Sequence, residues 1–269
     1  MSDEIPYTYS GQSMMDLYQH PAFPSPPPDA VLWRYLDFEK FDWLVRNSRL
    51  FMPSVQQFLG DPLEGTASLG HLEWWRSLER GAPSNEQREV IKKNKELLDR
   101  FAQKFRPNYF VSCWHLNTLE NAEMWRCYTS KSESVAIVTT YEALRTALPA
   151  YVDIGTVRYI DYSNERFPSL NMCEYIMHKN LEFSFECEVR AVAFPPATEE
   201  LGASHFHANS FESEASDGVY IFAPQVDIKS IIHRVVLHPE VSYEFSERIL
   251  SICRESGLPR PVSSIFQSR

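Results

Sequence analysis

The sequence predicts an α+β fold, a single domain with a mixed, mainly antiparallel sheet flanked by helices. Three observations predict it. Strand-like and helix-like stretches do not alternate regularly, which argues against a doubly wound parallel sheet. The chain of 269 residues is long enough to bury a core without covalent staples. Its composition is 43% hydrophobic and 13% aromatic, so aromatic clusters are expected to build much of that core.

The elements follow in order. Residues 1–29 read as an irregular arm, because Pro21, Pro24 and Pro26-Pro27-Pro28 block helix and favour extended chain; Tyr7, Tyr9 and Tyr18 are available to pack it on the domain. The domain itself spans 30–269. A β-rich run, Ala30 to Tyr35, opens it. A helix capped by Asp37 carries Phe38, Phe41, Leu44 and Val45 at helical spacing, and Leu50-Phe51-Met52 is a short strand. Gly60-Asp61-Pro62-Leu63-Glu64-Gly65 is a turn-rich loop with two carboxylates. Residues 66–106 read as a helical insertion, with a capping box at Ser84-x-x-Gln87 and an apolar face through Val90, Ile91, Leu97, Leu98, Phe101, Ala102 and Phe105. Tyr109 to Trp114 is a strand and Glu120 to Tyr128 a short helix. Strands are expected at 134–139, 152–160, 184–194, 218–222 and 230–237, and a helix at 169–181. The last helix runs from Ser242 to Ser256, with Gly257 at its C-cap and Pro259 beyond.

Charge narrows the partners. Against 36 Asp and Glu stand 26 Lys and Arg, a net charge of −10 that repels phosphate backbones at long range. Nucleic acid is therefore not expected as a non-specific ligand, although it stays open as an acceptor. The five cysteines are odd in number and form no CxxC pair, which reads as free thiols in a reducing compartment. His205-x-His207 is the nearest approach to a zinc-ligand pair, but it sits in a polar, Ser-rich stretch that reads as a loop, so no metal is assigned. No apolar segment reaches membrane-spanning length, and Asp3 and Glu4 make the N-terminus unlike a signal peptide. The cytoplasm is the expected compartment.

The densest chemical signal is Phe185-Glu186-Cys187-Glu188-Val189-Arg190. On a strand, alternation puts Glu186, Glu188 and Arg190 on one face and Phe185, Cys187 and Val189 on the apolar one. Carboxylates this close should push one pKa up unless cations compensate. The plainer alternative is a salt-bridge ladder on an exposed sheet face. Arg34 interrupts an apolar strand between Trp33 and Tyr35 and needs an anionic partner, either a core Glu or a ligand phosphate. Ser112 interrupts the next strand in the same way. Trp125 and Tyr128, one helical turn apart, form either an aromatic wall for a planar ligand or core packing. No phosphate-cradling glycine loop, nucleophile elbow or zinc-protease signature is present.

The order Leu32-Trp33-Arg34-Tyr35, Asp61-Pro62-x-Glu64-Gly65, Met124-Trp125-x-x-Tyr128, Val157-x-Tyr159-x-Asp161-Tyr162, Lys179-x-x-x-Phe183-x-Phe185-Glu186-x-Glu188-x-Arg190 and Val235-Val236-Leu237-His238-Pro239 resembles a bacterial family known only as a domain of unknown function, with distant relatives among abortive-infection proteins. It covers about residues 30–265. Gly60 stands where that family usually has Asn, and Phe183 and Phe185 where Trp and Tyr are usual. A sparser resemblance is to ADP-ribosyltransferases, whose Arg, Ser and Glu-x-Glu layout corresponds here to Arg34, Ser112 and Glu186-x-Glu188. This resemblance implies an NAD-consuming transferase or NAD glycohydrolase, acting in phage defence or as a toxin, on a dinucleotide and an unknown acceptor. It implies that Glu188 stabilises the developing ribosyl cation, Glu186 orients or deprotonates the acceptor and Arg190 holds both. Arg34 would bind pyrophosphate, Ser112 the ribose side, and Trp125 or Tyr128 the nicotinamide. It also requires Arg34, Ser112 and Glu188 to converge on one cleft. Two other readings compete: a metal-dependent phosphodiesterase or nuclease built on Asp61, Glu64, Glu186 and Glu188, and a non-enzymatic interaction protein in which the charges form an internal network.

Overall fold

Val31–Asp37 forms β1, and its alternation sets the architecture. Leu32 and Leu36 are buried on one face while Trp33 and Tyr35 are buried on the other, so β1 is a central strand. The computed structural model describes residues 20–57, 61, 63–105, 109–194 and 221–267. Beyond β1 the elements are α1 (Phe38–Asn47), β2 (Met52–Pro53), α2 (Leu69–Arg80), α3 (Asn85–Phe105), β3 (Phe110–Leu116), α4 (Ala122–Tyr128), β4 (Ser134–Thr140), α5 (Tyr141–Ala147), β5 (Val152–Thr156), β6 (Arg158–Ile160), α6 (Cys173–Met177), β7 (His178–Asn180), β8 (Glu188–Ala193), β9 (Ile221–Phe222), α7 (Ile228–Ile231), β10 (Arg234–Leu237) and α8 (Tyr243–Ser256).

Six strands form one sheet in the order β10-β4-β1-β3-β8-β5, antiparallel at every pairing. β2 and β9 make a small antiparallel ribbon, and β6 and β7 a parallel one. The α+β class and the mainly antiparallel sheet therefore stand as expected. One sheet face packs on α1, α5, α7 and α8 through a large core that includes Phe41, Leu144, Ile231 and Ile249. On the other face α4 covers Trp33, Tyr35, Ala136 and Val236 with Met124 and Trp125. Among the described residues no helix is long and apolar enough to cross a membrane.

One irregularity positions the site. β1 pairs with β4 along all seven residues but with β3 only at Leu32↔Leu116 and Trp33↔His115. Beyond that point the two strands no longer pair, and the sheet is open between them. β2 and the residues around it stand beside the opening, with Val55 N–H donating to Tyr109 O at 2.9 Å.

Several expected elements change. Asp37 stands at the N-cap of α1, but its carboxylate accepts from Ser130 N–H and the Ser130 and Ser134 hydroxyls instead of the helix. The strand expected at 152–160 divides at Val157: its N–H still donates to Glu188 O at 2.9 Å, in register with the β5–β8 ladder, and Arg158 to Ile160 then pair with β7 instead. The helix expected at 169–181 shrinks to α6, because His178 to Asn180 pair with β6. On α3, Val90 is 56% and Leu97 42% exposed, so these two members of the expected apolar face do not pack into the core. α5 and α7 were not foreseen; each has a local cap, Thr140 Oγ1 accepting from Ala143 N–H and Asp227 from Lys229 N–H. The Ser84 cap, with Gln87 N–H donating at 3.2 Å, and Gly257 at φ 67° after α8 are as expected.

Of the arm, Phe23 and Pro24 lie against β5, while Ser25 and Pro28 meet the start of α5. Phe23 is buried, and Thr156 N–H donates to Pro24 O at 2.8 Å. A Cβ on Gly155 would come within 2.5 Å of the Phe23 backbone, so this close approach needs glycine. Tyr7, Tyr9, Tyr18, His205 and His207 lie outside the described residues.

Candidate active site

A pocket of about 180 Å³ fills the opening between β1 and β3. Because it sits where the ladder ends, it is lined from both sheet faces, by Arg34, Leu36 and Trp114 on one side and by Tyr35, Cys113 and His115 on the other. Phe51 and Pro53 close one flank, Met124 and Tyr128 of α4 another, and Glu186 and Glu188 the floor. Cavities near 150 Å³ hold a benzene ring, so this space seats roughly one planar ring.

The floor is a charge cluster. Glu188, at the start of β8, receives Arg190 Nε and Nη2 in a bidentate pair, both at 2.9 Å. The fully buried Arg190 also donates Nη1 to Ile176 O at 2.6 Å and places Nη2 2.5 Å from Glu64. Glu186 accepts from Tyr128 Oη and from Lys179 Nζ, each at 2.5 Å, and Lys179 Nζ is 3.8 Å from Glu188. Three carboxylates thus meet two cations, which leaves one uncompensated negative charge when all are ionised. Burial pushes the Glu188 carboxyl up, but Arg190 and Lys179 outweigh it and hold the pKa down at about 2. Glu186 shifts the other way: burial and the neighbouring Glu188 raise it, against Lys179 and Tyr128. Two adjacent carboxyls pushed apart in this way are suited to different proton-handling tasks.

Opposite the floor, Arg34 donates Nη2 to Phe51 O at 2.9 Å and lies over the Trp114 ring at 5.6 Å. No carboxylate pairs with it among the described residues. Burial lowers its pKa to about 10, which leaves it charged at neutral pH. A partly exposed guanidinium with spare N–H groups is an anion site.

No family model matches this chain. No curated protein matches it in sequence either, so the motif resemblance stands on its residues alone. Among solved structures, DarT from Thermus sp. 2.9 in complex with carba-NAD+ superposes with a TM-score of 0.35 at 9% identity, over 89% of this chain and 96% of that one. The same protein in complex with ADP-ribosylated ssDNA gives 0.34 at 10% identity, over 90% and 96%. Superpositions at that level carry no inference for this chain.

Of the residues singled out in the sequence, Arg34, Tyr128, Glu186 and Glu188 line this one pocket. Three other residues are not at the pocket, so of Arg34, Ser112 and Glu188, whose convergence the ADP-ribosyltransferase resemblance requires, only Arg34 and Glu188 meet. Ser112 is fully buried and accepts from Trp114 Nε1 at 3.0 Å, so it supports the ring beneath Arg34 and touches no ligand space. Trp125 faces away from the opening and donates Nε1 to Glu120 at 2.7 Å, with its ring edge-on to Tyr35 and His238; Met124 and Tyr128, one turn apart, take the pocket face of α4. Arg190 lies beneath the floor and joins Glu188 to Glu64, while the cation between Glu186 and Glu188 is Lys179.

The strand expected at 184–194 also begins late. Leu181–Glu186 is a 3-10 turn and β8 starts at Glu188, so Glu186 reaches the cluster from the turn and Cys187 is exposed, not core. His115 Nδ1 at 2.6 Å from Glu186 O pins this turn, and Tyr159 Oη accepts from Glu188 N–H at 2.9 Å. Cys187 takes φ 41°, a left-handed conformation that strains a residue with a Cβ. Cys187→Gly is expected to stabilise the protein by up to about 1 kcal/mol, and Cys187→Val to destabilise it by about 1–3 kcal/mol; urea unfolding midpoints measure both.

The depressed Glu188 pKa sets an acid limit. Its folded value of about 2 lies below the model-compound value of 4.5. Its contribution is thus complete above that ordinary value and is lost as pH falls toward the folded one. The loss is on the order of 3 kcal/mol, and Glu186, shifted upward, works in the opposite sense. Unfolding free energies measured between neutral pH and pH ~3 should fall in the wild type and change less in Glu188→Gln.

Proposed function

We propose that this pocket binds the nicotinamide end of an NAD-type dinucleotide and breaks its nicotinamide–ribose bond, passing ADP-ribose to water or to an acceptor nucleophile. The observation that carries the reading is the polarity of the pocket: a negative floor at Glu186 and Glu188 lies opposite the uncompensated Arg34. A ligand that satisfies both walls carries a cationic planar ring beside an anionic group, and a pyridinium linked through ribose to pyrophosphate does so. The ring-sized volume and the aromatic walls of Tyr35, Trp114 and Tyr128 agree with it.

In this reading the C–N bond breaks with its electron pair leaving on neutral nicotinamide. The ribosyl carbon gains positive charge, as in glycoside cleavage, and the net negative floor stabilises that charge. The incoming nucleophile gives up its proton to Glu186, whose raised pKa makes it the stronger base of the two. Glu188, tied on both oxygens to Arg190, supplies fixed charge instead of taking protons.

The metal-dependent alternative fits poorly. Arg190 already bridges Glu64 and Glu188, and Lys179 bridges Glu186 and Glu188, so cations occupy the positions a divalent ion would need. Nicotinamide release from NAD by the purified protein, followed by chromatography with and without candidate acceptors, tests the proposal. Release that Arg34→Gln abolishes supports it, and the absence of release under every condition counts against it.

A further inference from the structure

We propose that Lys179 is a positioning residue, which aims the Glu186 carboxylate at the pocket and keeps it available as a proton acceptor. The inference rests on the reading of Glu186 as the base, but its geometry stands apart from any substrate. Lys179 lies on β7, outside the run that carries the carboxylates, and its side chain is buried. Its Nζ is 2.5 Å from Glu186, 3.8 Å from Glu188 and 4.7 Å from the centre of the Phe183 ring. Glu186 Oε1 is held by Tyr128 and Oε2 by Lys179, so among the described residues these two fix the carboxylate plane at the end of a 3-10 turn.

The other charged groups do not replace it. Arg190 is committed to Glu188, Glu64 and Ile176 O. Tyr128 and Cys127 of α4 and Tyr159 of β6 face Glu186 or its neighbour, and all three have raised pKa values, so they stay neutral and neither compensate nor add to the carboxylate charge. His115 meets Glu186 through the backbone oxygen, and burial lowers its pKa. Without Lys179, the buried Glu186 would face the negative charge of Glu188 with only a phenol hydrogen bond to set against it.

The test is the titration of the Glu186 carboxyl, followed by carbon-13 NMR in the intact chain without ligand and assigned by the signal lost in Glu186→Gln. Lys179→Gln should raise that titration by about one pH unit or more, and Lys179→Arg should leave it within about half a unit of wild type. An unmoved titration in Lys179→Gln, or equal shifts in both variants, would overturn the proposal. Where Lys179→Gln folds poorly, adding Glu186→Gln should recover stability; a double variant no more stable than Lys179→Gln alone also overturns it. The acid limb of nicotinamide release should move with the titration. A protein that releases no nicotinamide yet shows the titration shift refutes the proposed activity and leaves the Lys179–Glu186 coupling intact.

Discussion

Arg190→Met is expected to destabilise the protein by about 3–5 kcal/mol, the largest effect of any single change in the site. Arg190 is fully buried, and its polar contacts go to buried groups: Glu188, Glu64 and Ile176 O. Removing it leaves Glu188 and Glu64 without their guanidinium, with Lys179 as the one cation left in the cluster against three carboxylates. One or both must then take up a proton, and the desolvation cost of an unpaired buried charge outweighs the apolar surface methionine adds. Arg190→Lys should recover only part of the loss, because an ammonium cannot reproduce the fork that meets both Glu188 oxygens. Urea unfolding at neutral pH measures both variants, and a loss below about 1 kcal/mol for Arg190→Met would mean the network is not a structural anchor.

Glu186→Gln carries the largest expected effect on turnover, a decrease of about 100- to 10,000-fold in nicotinamide release. The substitution is nearly isosteric, and its amide oxygen can still accept from Tyr128. It removes the proposed proton acceptor and returns the floor to electrical balance, one carboxylate fewer against the same two cations. Glu188→Gln is the less informative change, because it breaks the bidentate contact to Arg190 and confounds activity with stability. Circular dichroism and the unfolding midpoint of Glu186→Gln should stay close to wild type while the rate collapses. A variant that retains full activity would remove Glu186 from the chemistry.

Much of the fold was legible because burial imposes its period on the sequence. β1, β3, β4 and α8 appear where alternation or helical spacing is strong and where caps such as Ser242 and Gly257 bound them. The stretch 169–188 departs from its sequence pattern because its structure depends on partners outside it. β7 exists through pairing with β6, and the turn before β8 is pinned by His115 from another strand. The grouping of Glu186 with Glu188 was nevertheless visible, since a strand and a 3-10 turn closed by a left-handed residue both bring positions two apart to one place. Lys179 was not visible as their partner, because nothing local ties a lysine to a carboxylate seven residues on. Ser112 and Trp125 misled for the opposite reason: polar and aromatic interruptions in strands and helices look the same whether they face a ligand or a neighbouring side chain. The opening between β1 and β3, which decides what faces the pocket, is a property of strand pairing and leaves no mark in either strand's own sequence.

In the proposed function, Arg34 and the carboxylate floor receive the two ends of one dinucleotide fragment. Trp33 and Trp114 line the pocket, so tryptophan fluorescence reports its occupancy directly. Titrating NAD into the wild type and into Arg34→Gln at low salt should give a saturable change in the wild type and an affinity weaker by about tenfold or more in the variant. No saturable change in the wild type, or equal affinity in the two proteins, would contradict the assignment.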